Sequence, residues 1–541
     1  MCVFSLQKYE KKHNWMAWGK KNFGRLEKSL YLCTMKKIIL LLAVMLISPV
    51  AMAQTATELT NLVVFVRFAD EDEIDFPFRY IDTMFNGRAP GKFTIYNFYD
   101  VLTYGQLHYN TVYPNNMSGS AIVSYQDIHP RSYYRPYSEE NPDGYQGENP
   151  MIGISMRESQ LLARALDYID SEHLVDSTVV LDGDGDGYID NISFIVKGDV
   201  DDWGDLLWPH MEFFPHDSID HPVSINGLLP NAFNMEFEGS DDMFSVYIFR
   251  HEMGHSLNLP DLYHYRNYTH INQVGIWDMM GVSEFRCQTA AIMKSKILHV
   301  GDDPVQITAD GDYTLRSAGS SPTQNCYYIK SSIDTTQWYV FEYRNKADLF
   351  EEGIPGTGLV ISRWVDSIPL DREGMYHNSF FDNENYVHLL WIFRPDCSND
   401  TTNGRLARAF FSQASGRTSF GPTTNPHPYL TDGTPEQSFE ITNIQEHDST
   451  LTFHVHFLPV GIPDNRDENA TICVYPNPAS SQLTVAGIPT GSRIEVFNAL
   501  GCCQLVASQS SFSISALPTG VYLLKMHLPD GQILHHKIIK Q

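Results

Sequence analysis

The chain of 541 residues is short of basic side chains, with 38 lysines and arginines against 65 aspartates and glutamates and a formal net charge of −27. Residues 1–53 are basic overall, so the rest of the chain is more acidic still. Because binding to a phosphate backbone requires a positive field, this imbalance argues against nucleic acid as a partner. It fits solubility outside the cell and sites for divalent cations.

The chain also lacks a run of roughly 20 apolar residues, the length that a membrane-spanning helix needs. The apolar run at 38–47 follows two lysines and precedes an Ala-Met-Ala motif ending at Ala53, which is the layout of a secretory signal peptide. We predict that translation begins at Met35, that 35–53 is the signal peptide, and that 1–34 is an artefact of start-site assignment. The alternative is a longer leader. Either way, we expect no transmembrane helix in the mature chain.

Cysteine is sparse, and none of the eight cysteines forms a metal-type CxxC pair. Two of them fall in the predicted leader. The other six are compatible with disulfides, which secretion permits, or with buried free thiols. The sequence therefore predicts no cysteine-ligated metal site and fixes no disulfide pairing.

A zinc-binding pattern occupies the middle of the chain. His251 and His255 are four residues apart, so on a helix their imidazoles lie on one face and can share one Zn²⁺. Glu252, next to the first of them, is placed to take a proton from a zinc-bound water. Pro260 cannot continue a helix, so the helix must stop after His255. The pattern predicts a helix with two zinc ligands and a general base.

The third zinc ligand is predicted six residues after His255, at Asp261. A metzincin site needs a sharp turn there, which returns the third ligand to the metal. Asn258 favours this turn because asparagine tolerates the left-handed backbone conformation, and an aspartate oxygen binds zinc about as closely as a histidine nitrogen. The alternative is that Asp261 caps the next segment and that the third ligand comes from further along, from His264, His270 or Glu284.

A second motif, Trp277 to Gly281 (WDMMG), resembles the Met-turn beneath the metal of metzincins. With His251 to Tyr263 (HEMGHSLNLPDLY), it makes the chain similar to the immune inhibitor A-like secreted metallopeptidases, from about residue 60 to about residue 300. The resemblance implies a metzincin-like zinc peptidase domain, with Met280 packed beneath the metal and not bound to it. It also implies cleavage of protein or peptide substrates outside the cell.

The sequence is compatible with two functions. In a zinc endopeptidase, Glu252 acts as the base and later delivers the proton to the leaving amine. The rival is a catalytically silent cell-surface adhesin or binding protein that retains the peptidase fold. The intact Glu252 argues against the rival, because a purely structural zinc site needs no base.

A second candidate metal site lies upstream, where aspartates occupy positions 1, 3, 5 and 9 of a loop with glycine at position 6. These are the positions of a calcium-binding loop, occupied by Asp182, Asp184, Asp186 and Asp190. Position 12 is Ser193, not glutamate, and a strand is predicted next, so the loop is no EF-hand. We expect Ca²⁺ here, because the carboxylates repel one another without a cation. The alternative is a metal-free hairpin turn.

The remainder of the chain is predicted to be β-structure, so we expect an α+β fold overall. The catalytic domain (54–300) is followed by a β-sandwich (301–458) and by a polar linker (459–470). The segment 471–541 has three spaced motifs that resemble the C-terminal sorting domain of the type IX secretion system, namely Val474 to Ala479, Ile494 to Gly501 and Leu517 to Tyr522. The resemblance implies contact with the type IX secretion machinery, and a protein secreted or attached to the outer cell surface.

Overall fold

The structure is a computed structural model, which describes residues 56–117, 121–146, 156–201, 205–214, 216, 219, 221–239, 246–263, 271–281, 286–346, 349–367, 388–458, 472–529 and 533–541. The predicted leader (1–34), signal peptide (35–53) and linker (459–470) lie outside these residues. By its internal packing, the chain from Glu58 to Gln541 groups as one compact unit.

The α-helices in the described part of the chain are α1 (Phe78–Asn86), α2 (Ile95–Leu102), α3 (Met156–Ser171), α4 (Val246–His255) and α5 (Ala291–Lys296). The strands of the first half are β1 (Thr57–Arg67), β2 (Leu107–Val112), β3 (Tyr125–Gln126), β4 (Tyr188–Ile189), β5 (Asn191–Val196), β6 (His210–Phe213), β7 (Leu229–Pro230) and β8 (Ala232–Phe237). The next are β9 (Val305–Gln306), β10 (Gly311–Arg316), β11 (Cys326–Lys330), β12 (Gln337–Arg344), β13 (Gly358–Val365), β14 (Leu390–Ile392), β15 (Phe439–Glu446) and β16 (Thr450–Phe457). The last are β17 (Cys473–Tyr475), β18 (Gln482–Ala486), β19 (Arg493–Asn498), β20 (Cys503–Ala507), β21 (Ser511–Ser513), β22 (Gly520–His527) and β23 (Ile533–Lys540).

A mostly parallel sheet organises the first half of the chain. Its order is β2-β1-β5-β8-β6, with β3 beside β1; β1, β5 and β8 run parallel, and β6 is antiparallel to β8. Strands β5 and β8 are buried along their whole length. A parallel sheet is normally covered on both faces, and this one is. Helix α3 packs on one face, while α4 belongs to the core on the other.

Two further sheets make up 305–457. A three-stranded sheet has the order β10-β16-β15, and a five-stranded sheet has the order β14-β13-β12-β11-β9. One core is built from the facing sides of both, as in a two-layer arrangement. On β16, the buried residues Leu451, Phe453 and Val455 alternate with residues that are less buried.

The central strands of the five-stranded sheet are buried on both faces. Strands β12 and β13 are buried at every position. Alternate residues such as Tyr339 and Phe341 belong to the core shared with the three-stranded sheet. Their neighbours Trp338 and Val340 belong instead to the core that contains α4. The β-rich segment therefore shares packing with the first half of the chain.

The described part of 472–541 is all β-structure, with a three-stranded sheet β17-β18-β21, a four-stranded sheet β20-β19-β22-β23 and a core of its own. The described chain as a whole is thus mixed, with several sheets, few helices and an all-β C-terminal tail. Before the aspartate loop, residues 177–180 form a turn, because Asp176 accepts hydrogen bonds from the backbone and hydroxyl of Thr178.

The six cysteines outside the predicted leader are all free thiols, of which three are buried (Cys287, Cys326 and Cys397) and three exposed (Cys473, Cys502 and Cys503). Among the described residues, no helix is long and apolar enough to cross a membrane.

Candidate metal centre

Helix α4 brings the two predicted histidine ligands together on its last turn. His251 is buried, and the ring centroids of His251 and His255 are 4.9 Å apart. The helix ends at His255, as the sequence predicts. The Oδ1 atom of Asp261 lies 3.0 Å from Nε2 of His251 and 3.3 Å from Nε2 of His255. The structure thus assembles a group of two imidazoles and one carboxylate, whose ligand atoms all lie within 4.8 Å of one another.

The other nitrogen of each imidazole is held by a backbone carbonyl. Nδ1 of His251 donates to the carbonyl oxygen of Met279 at 2.8 Å, and Nδ1 of His255 donates to that of Leu259 at 2.7 Å. These bonds fix the orientation of both rings and leave Nε2 as the atom that faces Asp261. Zinc-ligating histidines are held in the same way by outer hydrogen bonds. Two imidazoles and a carboxylate are also a ligand set that zinc accepts.

The turn after α4 has the conformation expected for the return of Asp261. Asn258 has φ 65°, the left-handed region that the sequence predicts for it. The amide N–H groups of Asn258 and Leu259 donate to the carbonyls of His255 and Gly254, which closes the turn tightly. The alternative ligands His264, His270 and Glu284 lie outside the described residues.

The charges within this group are strongly coupled. Burial works to lower the pKa of both histidines, but the Asp261 carboxylate outweighs it, raising the pKa of His251 and raising that of His255 to about 9. Burial works in the opposite direction on Asp261, yet the two imidazoles hold its pKa far below the usual range. A metal ion that binds such a group must displace protons, so its affinity falls at low pH.

The predicted Met-turn packs directly beneath α4. A methyl group added at Gly254 would lie 2.7 Å from Cε of Met279 and 3.2 Å from Sδ of Met280, so a larger residue here would require the methionine side chains to move. Asp278, which is buried, fixes the turn by accepting hydrogen bonds from the amide of Met280, the hydroxyl of Thr289 and the amide of Ala290. Met280 is fully buried in the same core.

Glu252 lies on α4 between the histidine turns and is 8 % exposed. Its carboxylate is close enough to influence a second acid, Glu236 on β8, which the sequence analysis missed. Burial, followed by the charge of Glu252, raises the pKa of Glu236 and favours its neutral form. The sequence offers one signal for Glu236, namely a glutamate within the largely apolar strand segment 232–237. Tyr263 stacks with His251 at a centroid distance of 6.2 Å.

The aspartate loop brings together three of its four predicted ligands. Asp182, Asp184 and Asp190 form a second group with ligand atoms within 4.8 Å of one another. Asp186 is not in this group, and its Oδ1 accepts a hydrogen bond from the amide of Tyr188 at 2.8 Å. Ser193, at position 12 of the loop, is fully buried in the sheet.

The aspartate group carries unbalanced negative charge. Burial raises the pKa of Asp190 to about 6, and the neighbouring Asp184 acts in the same direction. The amides of Thr60 and Gly183 oppose this by donating to the Asp190 carboxylate. A divalent cation would relieve the repulsion between these carboxylates.

Comparison with known families identifies the tail. The family described as "Secretion system C-terminal sorting domain" matches residues 473–541. This domain marks a protein that the type IX secretion system exports, so the protein is secreted or held at the cell surface, and its tail interacts with that system.

Among solved structures, the chain is similar to PorZ, described as an essential bacterial surface component of the type-IX secretion system of Porphyromonas gingivalis. The identity is 13% and the TM-score 0.13, and the match covers 40% of this chain and 22% of that one. No curated protein matches the chain.

Proposed function

We propose that this protein is a secreted zinc endopeptidase, with an α+β, metzincin-like catalytic domain. The observation that supports the proposal best is the convergence of two Nε2 atoms and one carboxylate oxygen, with each Nδ1 committed to a backbone carbonyl. His251, His255 and Asp261 would hold the zinc. When bound, zinc supplies a Lewis acid for the scissile carbonyl and for water.

The side chains of the site have distinct roles in this proposal. Glu252 takes the proton from the attacking water and delivers it to the leaving amine, which requires it to be ionised in the resting enzyme. The neutral form of Glu236 avoids a second negative charge beside Glu252. Met280 serves as a packing floor beneath α4 and binds no metal. Burial of the site excludes bulk water and strengthens each of these electrostatic effects.

The test of the proposal uses the mature protein. We expect about one zinc per chain by metal analysis and cleavage of casein that is lost with a chelator and restored by added zinc. Zinc without cleavage would favour the silent adhesin, whereas an absence of zinc would remove the proposal altogether.

A calcium ion is proposed for the aspartate loop, held by Asp182, Asp184 and Asp190. We expect the unfolding temperature of the zinc-loaded protein to rise with added Ca²⁺. At a free Ca²⁺ concentration 100 times the dissociation constant, binding raises the free energy of unfolding by about 2.7 kcal/mol. Asp190→Asn should abolish the rise because it removes a ligand charge. Asp186→Asn is the matched control and should keep most of it, since Asp186 is outside the group. An undiminished rise in Asp190→Asn would contradict the site.

A further inference from the structure

A row of buried polar side chains crosses the parallel sheet where apolar side chains are expected. Strands β1, β5 and β8 present Asn61, Asn191, Ser193 and Asn234 on the face towards α4, and all four are fully buried. The opposite face of the same strands is apolar and packs against α3. Burying polar groups costs free energy unless each is hydrogen-bonded, so this row requires an explanation.

Part of the row closes into a ring with Ser256, the residue that follows α4, which we call the metal helix. The amide nitrogen of Asn191 donates to Oδ1 of Asn234 at 2.8 Å, and the amide nitrogen of Asn234 donates to Oγ of Ser256 at 3.2 Å. Ser256 then donates to Oδ1 of Asn191 at 2.7 Å. Each member both donates and accepts in one direction around the ring, an arrangement in which hydrogen bonds strengthen one another.

The remaining donors and acceptors of the row stabilise this ring from the sheet side. Asn191 also donates to Oδ1 of Asn61 at 2.7 Å, and the hydroxyl of Ser193 lies 2.9 Å from Oδ1 of Asn61 and 3.0 Å from Oδ1 of Asn234. Both hydrogens of the Asn191 amide are therefore used. The orientations of the two ring asparagines are fixed by contacts that do not involve α4.

Ser256 directly follows His255, the last residue of α4. The ring therefore ties the end of the metal helix to two strands of the sheet. From that fixed point the chain turns through Asn258 and reaches Asp261, so the ring also sets where the third predicted ligand begins its return. We infer that Ser256 is a positioning residue, whose ring with Asn191 and Asn234 fixes His255 and the following turn for zinc. This inference rests on the proposed function.

The test measures the zinc affinity of the full mature chain by competition with a chelator, alongside the unfolding temperature of the zinc-free protein. Ser256→Ala should weaken zinc binding about tenfold, the low end of the effect of outer hydrogen bonds on metal affinity. Asn234→Ala breaks the same ring from the sheet side and should weaken zinc binding in the same direction. Ser256→Thr keeps the hydroxyl, so this variant should bind zinc with wild-type affinity.

Thr111→Val is the matched control for the loss of a buried hydroxyl. Thr111 is buried on β2, and its hydroxyl lies 3.5 Å from the Asn61 amide, on the side of Asn61 away from Ser256. The Thr111→Val variant should have a lower unfolding temperature and unchanged zinc affinity. Wild-type affinity in both Ser256→Ala and Asn234→Ala, or equal weakening in Thr111→Val, would overturn the inference. If the wild-type protein itself bound no zinc, the proposed function would fail instead.

Discussion

The Glu252→Ala protein is expected to bind about one zinc per chain and to have lost proteolysis, with kcat lowered by about 10³-fold or more. The metal ligands are His251, His255 and Asp261 in our proposal, and the hydrogen bonds that the two histidines donate to backbone carbonyls do not involve Glu252. Removing a general base typically costs about 10²–10⁴-fold in rate. Metal analysis and casein cleavage on the same preparation measure both quantities.

Two further variants sharpen this experiment. Glu252→Gln keeps the shape of the side chain but cannot take a proton, so it should be as inactive as Glu252→Ala. Glu236→Gln is the matched control, because it replaces a nearby buried carboxyl whose pKa is already raised in favour of the neutral form. It should retain cleavage. Wild-type cleavage by Glu252→Ala would remove Glu252 from the mechanism.

Loss of Asp261 is expected to weaken zinc binding by more than about 100-fold. Hydrogen bonds to a ligand account for about 10–100-fold in metal affinity, and a direct ligand should account for more. Asp261→Ala also removes the carboxylate that lies within 3.3 Å of both Nε2 atoms, so the two imidazoles would be left to hold the metal alone. Zinc retention is measured by dialysis against a chelator of known affinity.

Two kinds of variant control for other roles of Asp261. Asp261→His, which supplies the residue found in the metzincin pattern, should recover zinc binding if the position itself faces the metal. Single replacements of His264, His270 and Glu284 by alanine should leave zinc in place. If one of these three lost zinc while Asp261→Ala retained it, the assignment of the third ligand would be wrong.

The metal helix and its turn could be predicted from the sequence because every relevant contact is local. Asp261 lies ten positions after His251, and helical periodicity, Pro260 and the conformational tolerance of Asn258 determine the path between them. The Met-turn was recognisable for a similar reason, as a short motif. What its Asp278 does was not recognisable, because its partners Thr289 and Ala290 carry no signal of their own.

The polar ring could not be predicted, since its members come from three separate places in the chain. Asn191 and Asn234 come together only through the register of β5 and β8. Asparagine is disfavoured in strands, so in the sequence each one only lowers the predicted strand propensity of its segment. Ser256 looks like an ordinary residue after a helix. Likewise, the spacing of the loop does not reveal that Asp186 lies outside the aspartate group, with its Oδ1 accepting from the Tyr188 amide.

Strands β12 and β13, buried on both faces, have a consequence for how this protein can evolve. Trp338 and Val360 belong to the same core as Met279 and Met280, which lie beneath the metal helix. A chain cut near residue 300 would therefore remove part of this shared core and expose the rest of it to water. Substitutions that open cavities in these strands should therefore lower the unfolding temperature of the unit that holds the candidate site. The stability of the candidate site can therefore change through substitutions in strands that contribute none of its predicted ligands.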